Sequence, residues 1–337
     1  MRYNRIKIRS GNYILKQIVT ILLLFFIWII LSGNTFNPDT LSYERMYVGN
    51  SGKHEIGFMI ICQFGYMAEM TYQEFRIVIY SIILFLLLFF AKRMKADCLW
   101  IFLMYFIYPL FLDGIQIRSA LAYAIALIGI MALYSKNEFS VIKFLIPIIL
   151  AASMHYMAIF YVIFLFVKIK VNRKSLRNIM GGLAFALLIF LYVYPTIVID
   201  IVSFSSDKVR DNFANHAGIG VVVPIFLHIL GFYLYEKLYI KLINAGMQDE
   251  KFNIHYKINI FMLLLIPFYA FSMNFFRIYR LMIFANNVFI FNKCNLKKGP
   301  KLLKVQLATI GYILLLGILQ IYLGGLQEDF FSNNIFL

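Results

Sequence analysis

Few side chains in this sequence can be ionised, and those able to do chemistry stand at the ends of apolar runs. In "DGIQIRSALAYAIALIGI", Asp113 and Arg118 lie five residues apart at the mouth of such a run. A charge at the centre of a lipid-embedded helix costs about 2.5–3.5 kcal/mol on insertion scales. Both residues therefore belong either at a membrane surface or in a polar site. "NFFRIYRLMIF" carries Arg277 and Arg280, three apart and so on one helix face. A guanidinium is permanently charged and forks onto phosphate oxygens, so arginines gathered at one membrane level suit a lipid phosphate or diphosphate. The plain alternative for each is a side chain snorkelling to headgroups. Arg210, in "SSDKVRDNF", is a further anion-binding candidate, set against a solvated charge run.

Proton transfer has its own candidates. His155 interrupts an apolar stretch at "SMHYM", and an ordinary imidazole pKa of about 6.5 makes it the best general base available. The alternative is a satisfied interfacial histidine. Asp39 and Glu55 flank a loop containing Tyr43 and Tyr47, where rings can stack on sugar faces and carboxylates can accept hydroxyl hydrogen bonds. Against this stand an Asx-type turn after Pro38 for Asp39 and a helix N-terminal acid for Glu55. His228, in "PIFLHILGFY", reads as a helix–helix hydrogen-bond partner. No HExxH, no acid cluster and no Cys/His ligand spacing occurs, so no metal site is expected. Cys62, Cys98 and Cys294 lie far apart and form neither a disulfide framework nor a metal knuckle. The absence of GxxxxGK[ST] and of a Gly-rich βα turn argues against a cytosolic nucleotide as direct substrate.

The elements that must position these residues are membrane helices. The 337 residues are 62% hydrophobic and only 14% charged, against about 25% charged in soluble domains. The expected fold is an all-α, polytopic integral membrane protein, with residues 1–337 forming one transmembrane domain. The net charge of +16 is scattered between apolar runs rather than gathered on a soluble module, which reads as topology determinants and not as a nucleic-acid surface. "QIVTILLLFFIWIIL" is long and lacks a following cleavage site, so it is expected to be an uncleaved first span.

Spans are expected near 14–31, 75–91, 98–112, 118–134, 179–199, 219–236, 258–273, 277–291 and 303–323. Residues 140–168 are too long for one helix and split around His155, giving about eleven in all. Segment 55–70 is short and polar-studded, and reads as an interfacial or re-entrant helix. With the N-terminus inside and the C-terminus outside, all but eight of the 32 Lys and Arg fall on the inner side. The eight are Arg45, Lys53, Arg76, Arg118, Lys208, Arg210, Arg277 and Arg280. This is the bias that orients membrane proteins. The ionisable candidates then share the outer face, where a large first loop lies.

The order "NPDTLSYERMY", "EIGFMIICQFGYM", "IRSALAYAIALIGI", "MHYMAIFYVIF", "NFFRIYRLMIF" resembles the EpsG family of Wzy-type polysaccharide polymerases, which serve capsule, exopolysaccharide and O-antigen synthesis. The resemblance covers nearly the whole chain and rests on the order of all five stretches. It points to Asp39, Tyr43, Glu55, Arg118, His155, Arg277 and Arg280. In such proteins the Arg118 motif often continues with Gln or Asn, whereas Ser119 follows here; this leaves the local hydrogen bonding open.

The resemblance implies a cytoplasmic-membrane glycosyltransferase working on the outer face. A glycan would leave its polyprenyl diphosphate for a sugar hydroxyl of an incoming lipid-linked unit. On that chemistry the catalytic set is His155, Arg118, Asp39 and Glu55, and the substrate-binding set is Tyr43, Asp113, Arg210, Arg277 and Arg280. No cofactor is expected, because the diphosphate leaving group carries the energy. Partners are the polyprenyl-diphosphate-linked oligosaccharide and the bilayer, with room for a chain-length regulator and a flippase. A ligase of the same chemistry and a lipid-linked glycan transporter or flippase stay open as alternatives. The concentration of ionisable residues outside argues against a transport path.

Overall fold

Backbone groups in lipid can be satisfied within one segment only by a helix, and helices are what these apolar runs form. The computed structural model describes residues 2–49, 55–135, 139–194, 222–246, 249–270, 272–292, 300–324 and 330–337. Among them there is no strand, only two isolated bridges. The α-helices are α1 (Arg2–Gly33), α2 (Thr40–Tyr47), α3 (Ile56–Met67), α4 (Tyr72–Arg93), α5 (Cys98–Ile107), α6 (Leu110–Ile115), α7 (Ile117–Leu133) and α8 (Ser140–Met154). They continue with α9 (Arg173–Val193), α10 (Val222–Asn244), α11 (Glu250–Met262), α12 (Phe276–Ile290) and α13 (Pro300–Gly324). Three 3-10 segments, Tyr156–Lys168, Leu263–Ala270 and Met273–Phe275, complete the described elements.

Among the described residues, five stretches are long and apolar enough to cross a membrane: Tyr13–Gly33, Tyr72–Arg93, Arg173–Val193, Val222–Asn244 and Leu302–Ile321. Shorter apolar helices lie between them. The chain is a multi-pass, all-α membrane protein. The split expected at His155 is present, with α8 ending at Met154 and a 3-10 segment beginning at Tyr156. At about 2.0 Å rise per residue, this 13-residue segment covers roughly 26 Å, where an α-helix would cover about 20 Å.

Two expected spans need correction. Residues 98–112 do not form one helix: α5 stops at Ile107, Tyr108 is extended, and α6 starts after Pro109. Proline lacks an N–H and disfavours helical backbone in the residue before it. Residues 258–273 change from α-helix to a 3-10 segment at Leu263. Within 55–70, α3 has 12 residues, roughly 18 Å and shorter than the hydrocarbon core of a bilayer.

The chain packs as two compact units. The first comprises Met1–Ile128, Leu150–Tyr156 and Asn287–Leu337. There α1 packs on α4 and α5, with Trp28 Nε1 donating to Ser81 Oγ at 2.9 Å. The last residues return to the C-terminal end of α1: Thr35 N donates to Asn333 O at 2.7 Å and Ile335 N to Gly33 O at 2.9 Å. Asn334 Nδ2 reaches Ile29 O at 3.2 Å, supplying a donor to carbonyls that a helix end leaves open. A Cβ on Gly33 would lie 2.7 Å from the Phe336 ring. At the opposite end of α1, Lys16 pairs with Asp97, and Asp97 N donates to Phe291 O at 3.0 Å.

The second unit comprises Gly129–Ile149 and Met157–Asn286. Here α9 packs on the Leu263–Ala270 segment and on α11. Several buried polar groups are paired across helices, a common feature of lipid-embedded bundles. His255 binds Tyr134 Oη and Asn286 Oδ1, each at 2.8 Å. Arg177 reaches Glu236 at 2.8 Å, and Tyr256 Oη donates to the same carboxylate at 2.7 Å. His228 behaves as its position in the sequence implied: Nδ1 is 2.7 Å from Tyr269 Oη, and the ring stacks on Tyr279 at 3.7 Å.

Candidate active site

Residues of the first unit at the start of α3, the start of α7 and the end of α8 converge. Glu55 occupies the N-cap of α3, but its carboxylate makes no cap bond to its own helix. It turns away, and both oxygens are taken. One accepts from Arg118 Nη1. The other lies 3.0 Å from His155 Nδ1 and 3.5 Å from the Tyr156 backbone N–H. Because an ionised carboxylate only accepts, Nδ1 of His155 must donate. The imidazole is thereby fixed as the Nδ1–H tautomer when neutral, with its basic lone pair on Nε2.

Local structure explains why these groups meet. His155 sits at the break between α8 and the Tyr156–Lys168 segment, its N–H still closing a helical bond to Ala151 O at 2.9 Å. Arg118 is the second residue of α7. Helix α3 approaches α8 at Gly57, where an added Cβ would clash with Ser153 Oγ and lie 2.8 Å from its Cβ and 2.9 Å from its carbonyl carbon. Only a glycine allows that approach. With α3 seated there, Glu55 lies within hydrogen-bond reach of His155.

Helix α2 forms the neighbouring wall. Tyr43 is buried, and the Arg118 guanidinium lies 5.3 Å from its ring centroid, a cation–π contact. Tyr43 also meets Phe58 of α3 edge-on at 6.2 Å. Tyr47 Oη donates to Met70 O at 2.6 Å beyond the far end of α3, so α2 holds both ends of α3. Asp39, half-buried at the N-cap of α2, makes no side-chain cap bond. It lies within electrostatic reach of Arg118.

Charge is unevenly shared. Burial alone would raise the Glu55 pKa, but the His155 hydrogen bond and the nearby Arg118 charge hold it down to about 2. Glu55 is therefore a fixed anion and a weak base at neutral pH. Arg118 Nε is buried and has no hydrogen-bond partner among the described residues, so the guanidinium keeps donor capacity that Glu55 does not use.

The remaining candidates fall elsewhere. Asp113 is buried in α6 and accepts from Tyr105 Oη at 3.2 Å, whereas Arg118 binds Glu55, so the two charges that frame "DGIQIR" bind different partners. Arg277, half-buried, and Arg280, 2% exposed, are on the first turns of α12 in the second unit. Arg210 lies outside the described residues.

Arg76, counted in the sequence only as an outer basic residue, proves to be 1% exposed. It donates to the backbone and side-chain oxygens of Asn34, and Tyr72 and Tyr80 ring centroids lie 5.8 Å from it. Tyr156 and Gly57 were also missed. A backbone N–H and a missing Cβ carry no chemical signature in a sequence.

No curated protein and no solved structure matches the chain. The family model for the EpsG family matches residues 18–331, from α1 to the C-terminal segment, and so includes every group just described. The chain belongs to the EpsG family, a family of Wzy-type, polysaccharide-polymerase-like membrane proteins.

Proposed function

We propose that this protein polymerises polyprenyl-diphosphate-linked oligosaccharide repeat units at the outer face of the cytoplasmic membrane. The observation that carries the reading is the single carboxylate, Glu55, joining Arg118 to His155 in an EpsG-family chain. His155 Nε2 takes the proton of the acceptor sugar hydroxyl, and the hydroxyl oxygen forms the new bond to the anomeric carbon of the donor. The bond from that carbon to the diphosphate breaks, and the diphosphate leaves with the electron pair. Arg118 meets the developing negative charge, a task suited to a preorganised guanidinium.

Glu55 is a positioning residue: it holds the tautomer of His155 and stabilises the imidazolium that forms, without itself being protonated. The same division of labour is found in carboxylate–histidine pairs of hydrolases. Asp39, with its uncommitted cap position, is assigned to orienting the acceptor hydroxyl. Tyr43 holds the guanidinium plane. Arg277 and Arg280 remain proposed anion-binding residues of the second unit, as does Arg210 beyond the described segments. Asp113 is assigned a supporting role through Tyr105.

The test is a gel of surface glycan from a deletion strain carrying the wild-type gene or an Arg118→Ala variant. Wild type should restore a ladder, and the variant should give only single repeat units. Full-length polymer retained on its lipid carrier in the deletion strain would instead indicate a ligase, and no accumulation outside would indicate a transporter.

A further inference from the structure

The first unit holds a cavity of about 650 Å³ at the end of α1 opposite the Glu55 site. Its walls are the N-terminal half of the α1 span, the last turns of α4 and the start of α5. Its lining is graded. Lys16, Lys92 and Asp97 collect at one end, and Ile21, Leu24 and Leu88 line the rest. From Lys16 to Leu24 an α-helix rises about 12 Å, so the cleft runs from a charged mouth into apolar depth.

The charges at the mouth do not cancel. Asp97 is buried and bonded to Lys16. An ammonium has three donors, so Lys16 keeps others. Lys92 is exposed and takes part in none of the ion pairs found among the described residues. Beyond Leu88 and Lys92 a smaller hollow of about 330 Å³ adds Arg93 to the same end.

We propose that this cavity is a binding site for an anionic phospholipid. The phosphate sits on Lys92 and the remaining donors of Lys16, and the upper acyl chain lies along Ile21, Leu24 and Leu88. A basic pocket between membrane helices with an apolar floor is a general solution for a phosphate headgroup. A zwitterionic lipid gains less, because the carboxylate its ammonium would seek is already held by Lys16. On the N-in orientation the site faces the cytoplasmic leaflet, and it does not depend on the transfer chemistry proposed above.

Cys98 lines the cavity and is half-exposed, so its alkylation by a maleimide reports occupancy at this place. The full-length protein, with Cys62→Ser and Cys294→Ser, is placed in detergent micelles containing either phosphatidylglycerol or phosphatidylcholine. Phosphatidylglycerol should slow alkylation about threefold relative to phosphatidylcholine when free lipid is about twice its Kd. Lys92→Gln should abolish the difference. Lys143→Gln, which removes an exposed lysine that does not line the cavity, should retain it. Equal rates in the two lipids, equal loss in both variants, or the same protection from inorganic phosphate alone would overturn the assignment.

Discussion

Replacing Glu55 by Gln keeps the shape of the side chain and removes the charge that Arg118 and His155 share. Its pKa is held at about 2, below the ordinary carboxylate range. The sign of the pH effect follows. A depressed carboxylate contributes stability fully above the unfolded value of about 4.3 and loses it as pH falls toward the folded value. The contribution of the Glu55 charge to the difference in unfolding midpoint between wild type and Glu55→Gln should therefore be present above about pH 5 and shrink below about pH 4. A difference that does not shrink below about pH 4 would mean that Glu55 is not held by this pair.

His155 is tested by two substitutions. Loss of a general base costs roughly 10²–10⁴-fold, and both His155→Ala and His155→Gln should fall in that range in reconstituted membranes. Gln can hydrogen-bond but cannot take the proton. A Gln variant as active as wild type would remove the base role and pass it to Asp39. Arg118→Lys keeps the charge and loses the planar fork. It should shorten the glycan ladder sharply at unchanged protein level, and a normal ladder would return Arg118 to a membrane-anchoring role.

At the scale of elements, the site depends on how closely α3 seats on α8. Gly57→Ala places a methyl group against Ser153, including its backbone carbonyl carbon at 2.9 Å. Overpacking of this kind costs about 1–3 kcal/mol, which a membrane bundle tolerates more readily than a proton-transfer geometry does. The variant should reach the membrane at normal level and lose most polymer. Adding Ser153→Gly removes the side-chain half of the clash and should recover part of it. A full-length ladder from Gly57→Ala alone would show that the helix contact does not set the position of Glu55.

For the whole molecule, the orientation we propose is N-terminus inside and C-terminus outside. Basic residues favour an N-terminus inside and a C-terminus outside. In the first unit, residues 333–335 bond to the end of α1 remote from its N-terminus, while Asp97 and Phe291 meet beside Lys16. A reporter fused after Leu337 should be active only outside, and one fused near Lys174 only in the cytosol. Because residues 333–335 are bonded to the C-terminal end of α1, a cytosolic C-terminus would invert the proposed orientation and move the Glu55 site to the other leaflet.

The sequence alone determined the class of this protein, because membrane insertion depends on local composition: apolar runs and flanking lysines are read where they stand. It also determined the break at His155 and the short α3, both set by local polarity and length. The interruption at Pro109 was written in the sequence too, but hydropathy averaged over it. Which charges would pair was decided only in three dimensions. Glu55 meets Arg118 across 63 positions and His155 across 100, separations at which periodicity carries no information. Asp113, the nearer acid to Arg118, took Tyr105 instead. Arg76, in the same outer position class as Arg118, was buried on Asn34. The reason is packing: a side chain's partner depends on which helices touch, and that contact was settled by a hydrogen at Gly57 where other residues carry a Cβ.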